Sequence, residues 1–303
     1  MTPCRSGLRL RNRRDWQSLL YLMATPALSA WLWLRGFNLL VYGLLLFLTL
    51  GIGVIHHNHT HLRMWVGSRA RLVNRATDYL ITLLQGHPTF VFWPAHTGNH
   101  HRYKHGPQDV ARTYRFGGDT NHLAGYLLHP LQAVWVLFPL FMHWLGRLHR
   151  RHPGAWRYCM GQYGLWLSSW ALLLALNPYK ALVYVIIPQL HGLHWLLATN
   201  YLQHAHADGS RSRGRYDYAR NFEGLVNPLL FNIGLHTAHH EHPRTHWSAL
   251  TGLHATHYRA RVHPDLNEKG LVPYMWRVLL LGAFNKRHRS ASLMRAHDTD
   301  ESR

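Results

Sequence analysis

GIGVIHHNHTH, residues 51–61, closes an apolar run with four histidines in its last six positions. The run itself, Phe37 to Ile55, is 19 residues without a charge, and Trp16 to Leu34 before it is another 19. Each approaches the ~20 apolar residues with which a helix crosses ~30 Å of hydrocarbon. Only Arg35 and Gly36 separate the two, so they read as a helical hairpin. A second hairpin follows further on: Tyr158 to Tyr179 and Ala181 to Asn200 are charge-free, with NPYK as the turn. A secretory signal would have a shorter apolar core and would not lead directly into a second span.

The flanks orient these hairpins. RSGLRLRNRRD carries five arginines ahead of the first span, and an excess of Lys and Arg marks the cytoplasmic side. RLHRRHPGAWR and SRSRGR flank the second hairpin, so both its ends are expected on that side too. Leu123 to Gly146 is also apolar but holds Pro130 and Pro139. A crossing there would reverse the charge bias, so the segment is expected to be interfacial or re-entrant, bent at its prolines. Asp78 to Trp93, broken by Gly86 and Pro88, reads similarly. The expected fold is an all-α integral membrane protein with two transmembrane hairpins, four spans in total, under a cytoplasmic helical cap. Its expected parts are a basic cytoplasmic N-terminus (1–15), one membrane domain (16–284) and a polar, disordered tail (285–303).

The chain has 303 residues, a formal charge of +20, 28 histidines and two cysteines. Two cysteines make neither a disulfide framework nor a thiolate zinc site. A basic balance fits nucleic acid, anionic lipid or an acidic protein; the apolar segments select the membrane and argue against nucleic acid.

With this topology the histidine clusters converge on one side. His57 and His61 are i and i+4, so on a helix both rings leave one face. His59 then faces elsewhere. His96 and His100 repeat that spacing, with His101 turned by about 100°, a geometry that gives two imidazoles to one metal and the third to a neighbour. His236, His239 and His240 repeat it at shorter range, and Asn200 with His204 sits at the end of the last span. Eight or nine imidazoles exceed one tetrahedral zinc site and imply two metals. HExxH is absent, as are the Glu-x-x-His pairs of soluble di-iron bundles. An all-imidazole dinuclear centre remains.

These motifs in this order resemble the membrane fatty acid desaturase superfamily: HNHTH after one hairpin, HTGNHH in the next loop, then a second hairpin, NYLQH and a late HTAHH. In the details around HTAHHEHPRTHW the chain also resembles membrane decarboxylases that form terminal alkenes. The resemblance implies a non-haem centre of two irons that uses O2 on an unactivated C–H bond of a lipid acyl chain. It implies His57, His61, His96, His100, His101, His204, His236, His239 and His240 as ligands, with Asn200, His59 and His105 supporting them. Desaturation is the expected reaction; decarboxylation to a 1-alkene and lipid or alkane hydroxylation are the alternatives. Arg220, Asn221 and Arg244 are candidates to hold a substrate carboxylate, or else to pair with nearby acids. No cytochrome, flavin or ferredoxin motif is present, so an external, ferredoxin-like electron donor is expected, steered by the arginines of RMWVGSRARLVNR and SRSRGRYDYAR. A lipid or free fatty acid is the expected substrate, and a bacterial inner membrane the expected location. The non-enzymatic alternative, a metal-handling membrane protein, would place ionisable groups near the bilayer midplane; here both hairpins lack Asp, Glu, Lys and Arg at their centres.

Overall fold

The computed structural model describes residues 7–115 and 123–294. Two compact units share the chain: Met1–Phe92 with Trp144–Leu196, and Trp93–His143 with Leu197–Arg303.

In the first unit, α1 (Trp16–Arg35) and α2 (Leu39–His61) form the expected hairpin. Gly36, at φ +92°, turns the chain between them, and the Asn38 side chain accepts from the Val41 amide at 3.1 Å to start α2. A two-residue ribbon, β1 (Arg9–Leu10) against β2 (Trp65–Val66), ties the N-terminal segment to the loop beyond α2. The amphipathic α3 (Ala70–Gln85) ends at Gly86, φ +63°, so the glycine breaks the segment where its sequence indicated. The second hairpin, α5 (Pro153–Leu176) and α6 (Pro178–His204), turns at Asn177, whose side chain accepts from the Lys180 amide.

Gln189 illustrates how a polar side chain in these apolar helices is paired, as hydrocarbon favours. Gln189 accepts from the Trp170 indole at 2.7 Å and donates to the Leu83 carbonyl at 2.7 Å. The helices also approach closely where residues are small. A Cβ on Gly192 would stand 2.7 Å from the Thr49 carbonyl oxygen, so α2 and α6 touch backbone to backbone there.

Between the hairpins runs α4 (Leu123–Arg151), one uninterrupted helix of 29 residues. This corrects the re-entrant expectation: the chain does not reverse at Pro130 or Pro139. A proline inside a helix loses one hydrogen bond, a loss that surrounding groups can make good in an apolar setting. Among the described residues, four helices are long and apolar enough to cross a membrane, namely α2, α4, α5 and α6. The number agrees with expectation; α1, the hairpin partner of α2, is less apolar, carrying Gln17, Ser18, Thr25 and Ser29. Arg63, just past α2, and Gly154, at the start of α5, line one cavity. Those two helix ends therefore emerge at the same level, which the hairpin arrangement requires.

In the second unit, Ala133 and Leu137 of α4 pack with Ala95, and Val110, Phe141 and Leu197 close over them. A two-residue parallel pair, β3 (Asn221–Phe222) with β4 (Asn267–Glu268), and the short α7 (His236–Glu241) complete the frame. Of the tail expected to be disordered (285–303), the structure describes residues 285–294. Leu293 and Met294 are buried, and the Leu293 amide donates to the His206 carbonyl at 3.1 Å. Residues 295–303 lie outside the described residues.

Replacing Gly192 by Val should lower the thermal transition of the detergent-solubilised chain, at a cost of about 1–3 kcal/mol for overpacking. Gly164→Ala, where an added Cβ meets nothing within 4 Å, should leave that transition unchanged or raise it slightly.

Candidate metal centre

His100, His204, His236 and His240 are all buried, and their ligand atoms lie within 4.8 Å of one another. All four rings belong to the second unit. His236 Nε2 lies 2.9 Å from His204 Nε2 and 3.0 Å from His240 Nε2. A single ring proton cannot bridge both contacts. Nitrogens bound to one ion at ~2.1 Å, at right angles, stand ~3.0 Å apart, so the spacing fits a shared metal.

The outer edges of two rings set which nitrogen is free. The His204 Nδ1 donates to the Tyr218 carbonyl at 2.8 Å, and the His100 Nδ1 donates to Asp109 Oδ2 at 2.6 Å. With Nδ1 carrying the proton, Nε2 presents a lone pair inward, and the outer partner fixes ring orientation. The His100 Nε2 is buried without a hydrogen-bond partner. Burial also drives the His240 ring well below the ordinary imidazole range, with the His101, His236, His100 and His204 rings adding to the effect. A neutral ring is what a metal takes.

Asp109 is the residue that sequence reading missed. Burial opposes its ionisation, yet His100 and the Ala111 amide hold its carboxyl down at about 2. Its Oδ2 also accepts from the His105 amide, and its Oδ1 from the Ala111 amide at 2.7 Å. A lone aspartate nine residues beyond His100 in a basic, histidine-rich loop was the available signal.

A second group lies in the same unit. His101 Nε2 is 3.0 Å from His96 Nε2 and 3.1 Å from His239 Nε2. The sequence spacing paired His96 with His100 on a helical face; the structure instead joins His96 to His101. The cause is local: Trp93–His100 is π-helical, and i→i+5 hydrogen bonding brings residues five apart into line. On α7, ordinary α-helical turning sends His236 and His240 to the first group and His239 to the second. Glu241, at the end of α7, receives Lys104 Nζ at 2.5 Å and the Tyr218 hydroxyl at 2.7 Å. This network binds α7 to the turn carrying His96, His100 and His101; neither Glu241 nor Tyr218 was foreseen in that role.

In the first unit, His57 and His61 leave one face of α2 with ring centroids 5.0 Å apart. His56 turns away, to Gln85 and the Thr89 carbonyl. His59 lies 3.5 Å from Asp78 and accepts from the Met64 amide. His105 is wholly buried, its ring stacked on His204 at 5.0 Å, and burial pushes it down to about 3. Asn200 donates to the Ala111 carbonyl at 3.0 Å.

The three substrate-clamp candidates have other surroundings. The buried Arg220 pairs with Glu268 at 3.0 Å and stacks on Tyr274. Asn221 is bonded to Thr237 at both ends of its amide. Arg244 is exposed. Arg220 and Asn221 are therefore parts of the frame; a buried guanidinium demands such a partner, and Glu268, 48 residues away, supplies it.

Helices long and apolar enough to cross a membrane, together with two all-imidazole groups that could hold metal, define the class as a membrane protein with a candidate metal centre. The fatty acid desaturase profile matches residues 29–267, and the chain belongs to that family. Among its relatives is the alkane 1-monooxygenase of Pseudomonas putida, 24% identical over 261 residues, a match covering 80% of this chain and 61% of that protein. The chain thus spans about three-fifths of that relative's length.

Asp109→Asn should weaken metal binding about 10–100-fold, the usual effect of losing a ligand's hydrogen-bond partner. Competition with a chelator, followed by metal analysis of the purified protein, measures it. Arg244→Ala should leave metal affinity unchanged.

Proposed function

We propose that the chain is an O2-dependent oxidoreductase that removes hydrogen from a lipid acyl chain at a pair of irons, with desaturation as its reaction. The observation that carries this reading is the pair of all-imidazole groups, His100, His204, His236 and His240 beside His96, His101 and His239. His57 and His61 complete the nine ligands in this proposal, as the family's first histidine motif. When bound, the two irons supply the redox capacity for attacking an unactivated C–H bond that side chains lack. The protein's share is orientation and exclusion of water. Asp109 and the Tyr218 carbonyl keep two Nε2 lone pairs inward, and the burial of the first group keeps solvent out.

Desaturation takes two hydrogens from adjacent carbons and consumes two further electrons as O2 goes to water. Hydroxylation has the same electron demand, and the alkane monooxygenase relative makes it the second reading. Decarboxylation would want a cationic or amide clamp for the substrate carboxylate, and the engagement of Arg220 and Asn221 elsewhere weighs against it.

The electron donor in this proposal is an acidic, ferredoxin-like protein that docks on the loop leading to Tyr218. Arg211, Arg213 and Arg215 are exposed there, only a few residues from the carbonyl that holds His204. The proposed setting is a bacterial inner membrane, with α4 interfacial and the histidines and both termini on the cytoplasmic face, where the arginine-rich flanks belong.

Cells expressing the protein and fed palmitic acid should accumulate internal double bonds, read by gas chromatography of lipids and headspace. Hydroxylated products would select the second reading, and a terminal alkene one carbon shorter would overturn both. The purified chain should hold two irons; His100→Ala and His240→Ala should lose iron and turnover together, while His152→Ala keeps both. Turnover with a reduced ferredoxin should fall as ionic strength rises, and replacing Arg211, Arg213 and Arg215 by Gln should raise the KM for ferredoxin and flatten that dependence.

A further inference from the structure

The first unit contains a cationic cavity of about 690 Å³. Its electrostatics do not close on themselves. Arg63 is neutralised by the buried Asp78, whose Oδ1 it meets at 2.5 Å, and the Tyr158 hydroxyl donates to the other oxygen at 2.6 Å. His59 approaches the same carboxylate at 3.5 Å, so Asp78 is already shared by three groups. Arg71 and Arg75 also line the cavity, one helical turn apart on α3. No carboxylate pairs with either among the described residues. Two like charges at i and i+4 repel, an arrangement an anion between them relieves. Arg75 is held to the wall by the Tyr158 ring, 5.4 Å from its guanidinium.

The opposite wall adds backbone donors. Gly154 and Ala155, in the first turn of the 24-residue α5, line the cavity, and His152 makes no side-chain cap there. The first amides of a helix are unsatisfied and favour negative charge. A Cβ added at Gly154 would meet nothing within 4 Å, so this wall of the cavity is not packed against side chains there. Guanidinium forks opposite helix-end amides suit a phosphate better than a carboxylate, having more oxygens to fill.

Depth selects the source. Arg63 stands two residues past the end of α2, and Gly154 is the second residue of α5, both helices apolar and long enough to cross a membrane. The cavity therefore sits where apolar helices leave hydrocarbon, the level of lipid phosphates. Leu72, 67% exposed beside Arg71, offers apolar surface at the same height.

We propose that the cavity lined by Arg71, Arg75 and the first turn of α5 binds the phosphate of an anionic membrane phospholipid. This site is independent of the reaction assigned to the histidines.

The test uses the full chain purified in detergent and exchanged against phosphatidylglycerol, with bound lipid counted by native mass spectrometry. The Arg71→Gln/Arg75→Gln double variant should lose phosphatidylglycerol affinity about tenfold or more, as expected for two cations at a lipid surface. Arg150→Gln/Arg151→Gln, which removes the same charge from exposed positions outside the cavity, should keep it. Ala155→Glu should abolish binding while leaving the fold intact, since an acid in the first turn favours the helix. Equal losses in the two double variants would reduce the effect to a general field and overturn the site, as would unchanged affinity in all three. Binding of millimolar inorganic phosphate with no lipid bound would overturn the lipid source. Retained lipid with a raised KM for ferredoxin in Arg71→Gln/Arg75→Gln would make the cavity a protein dock instead.

Discussion

The second unit is organised around buried imidazole nitrogens brought to about 3 Å of one another. Ring nitrogens at that distance either share a proton or share a cation, and His236, facing two neighbours through one Nε2, cannot satisfy both with a proton. Such crowding of lone pairs is tolerable only if the rings are neutral, and it is eased where the other nitrogen has a fixed partner. Much of the surrounding architecture meets those two conditions. Burial keeps His240 uncharged, while Asp109 and the Tyr218 carbonyl take the outer protons of His100 and His204.

Placing these partners needs segments far apart in the chain. Asp109 is itself held by two backbone amides, which lowers its carboxyl and keeps it an acceptor. Lys104, Glu241 and the Tyr218 hydroxyl then lock α7 to the turn carrying His96, His100 and His101. Buried networks of this kind are costly when incomplete and specifying when complete. The Arg220–Glu268 pair, backed by Tyr274, is a second such lock and secures the β3–β4 region.

In the first unit the same economy of polar groups appears in another solvent. Gln189, Trp170 and the Leu83 carbonyl satisfy one another, and Gly192 brings α6 against the backbone of α2. Polar side chains are few but placed where helices meet. Arg71 and Arg75 break that pattern, because no carboxylate among the described residues pairs with them, and the proposed lipid phosphate takes that place.

The sequence by itself determined the helical hairpins, because 19-residue charge-free runs leave a chain few other choices in hydrocarbon. It also determined the histidine motifs, whose spacing is a local property of helices. Spacing did not decide how the rings are shared out: a π-helical turn at Trp93–His100 joins His96 to His101 and sends His100 to the other group. Nor did it reveal Asp109 as an orienting acid, or Glu268 as the partner that draws Arg220 into the frame. Those depend on contacts between segments with no periodic relation, which are set when the chain packs. The continuity of α4 belongs to the same class, since prolines mark where a helix can bend and the surrounding packing settles whether it does.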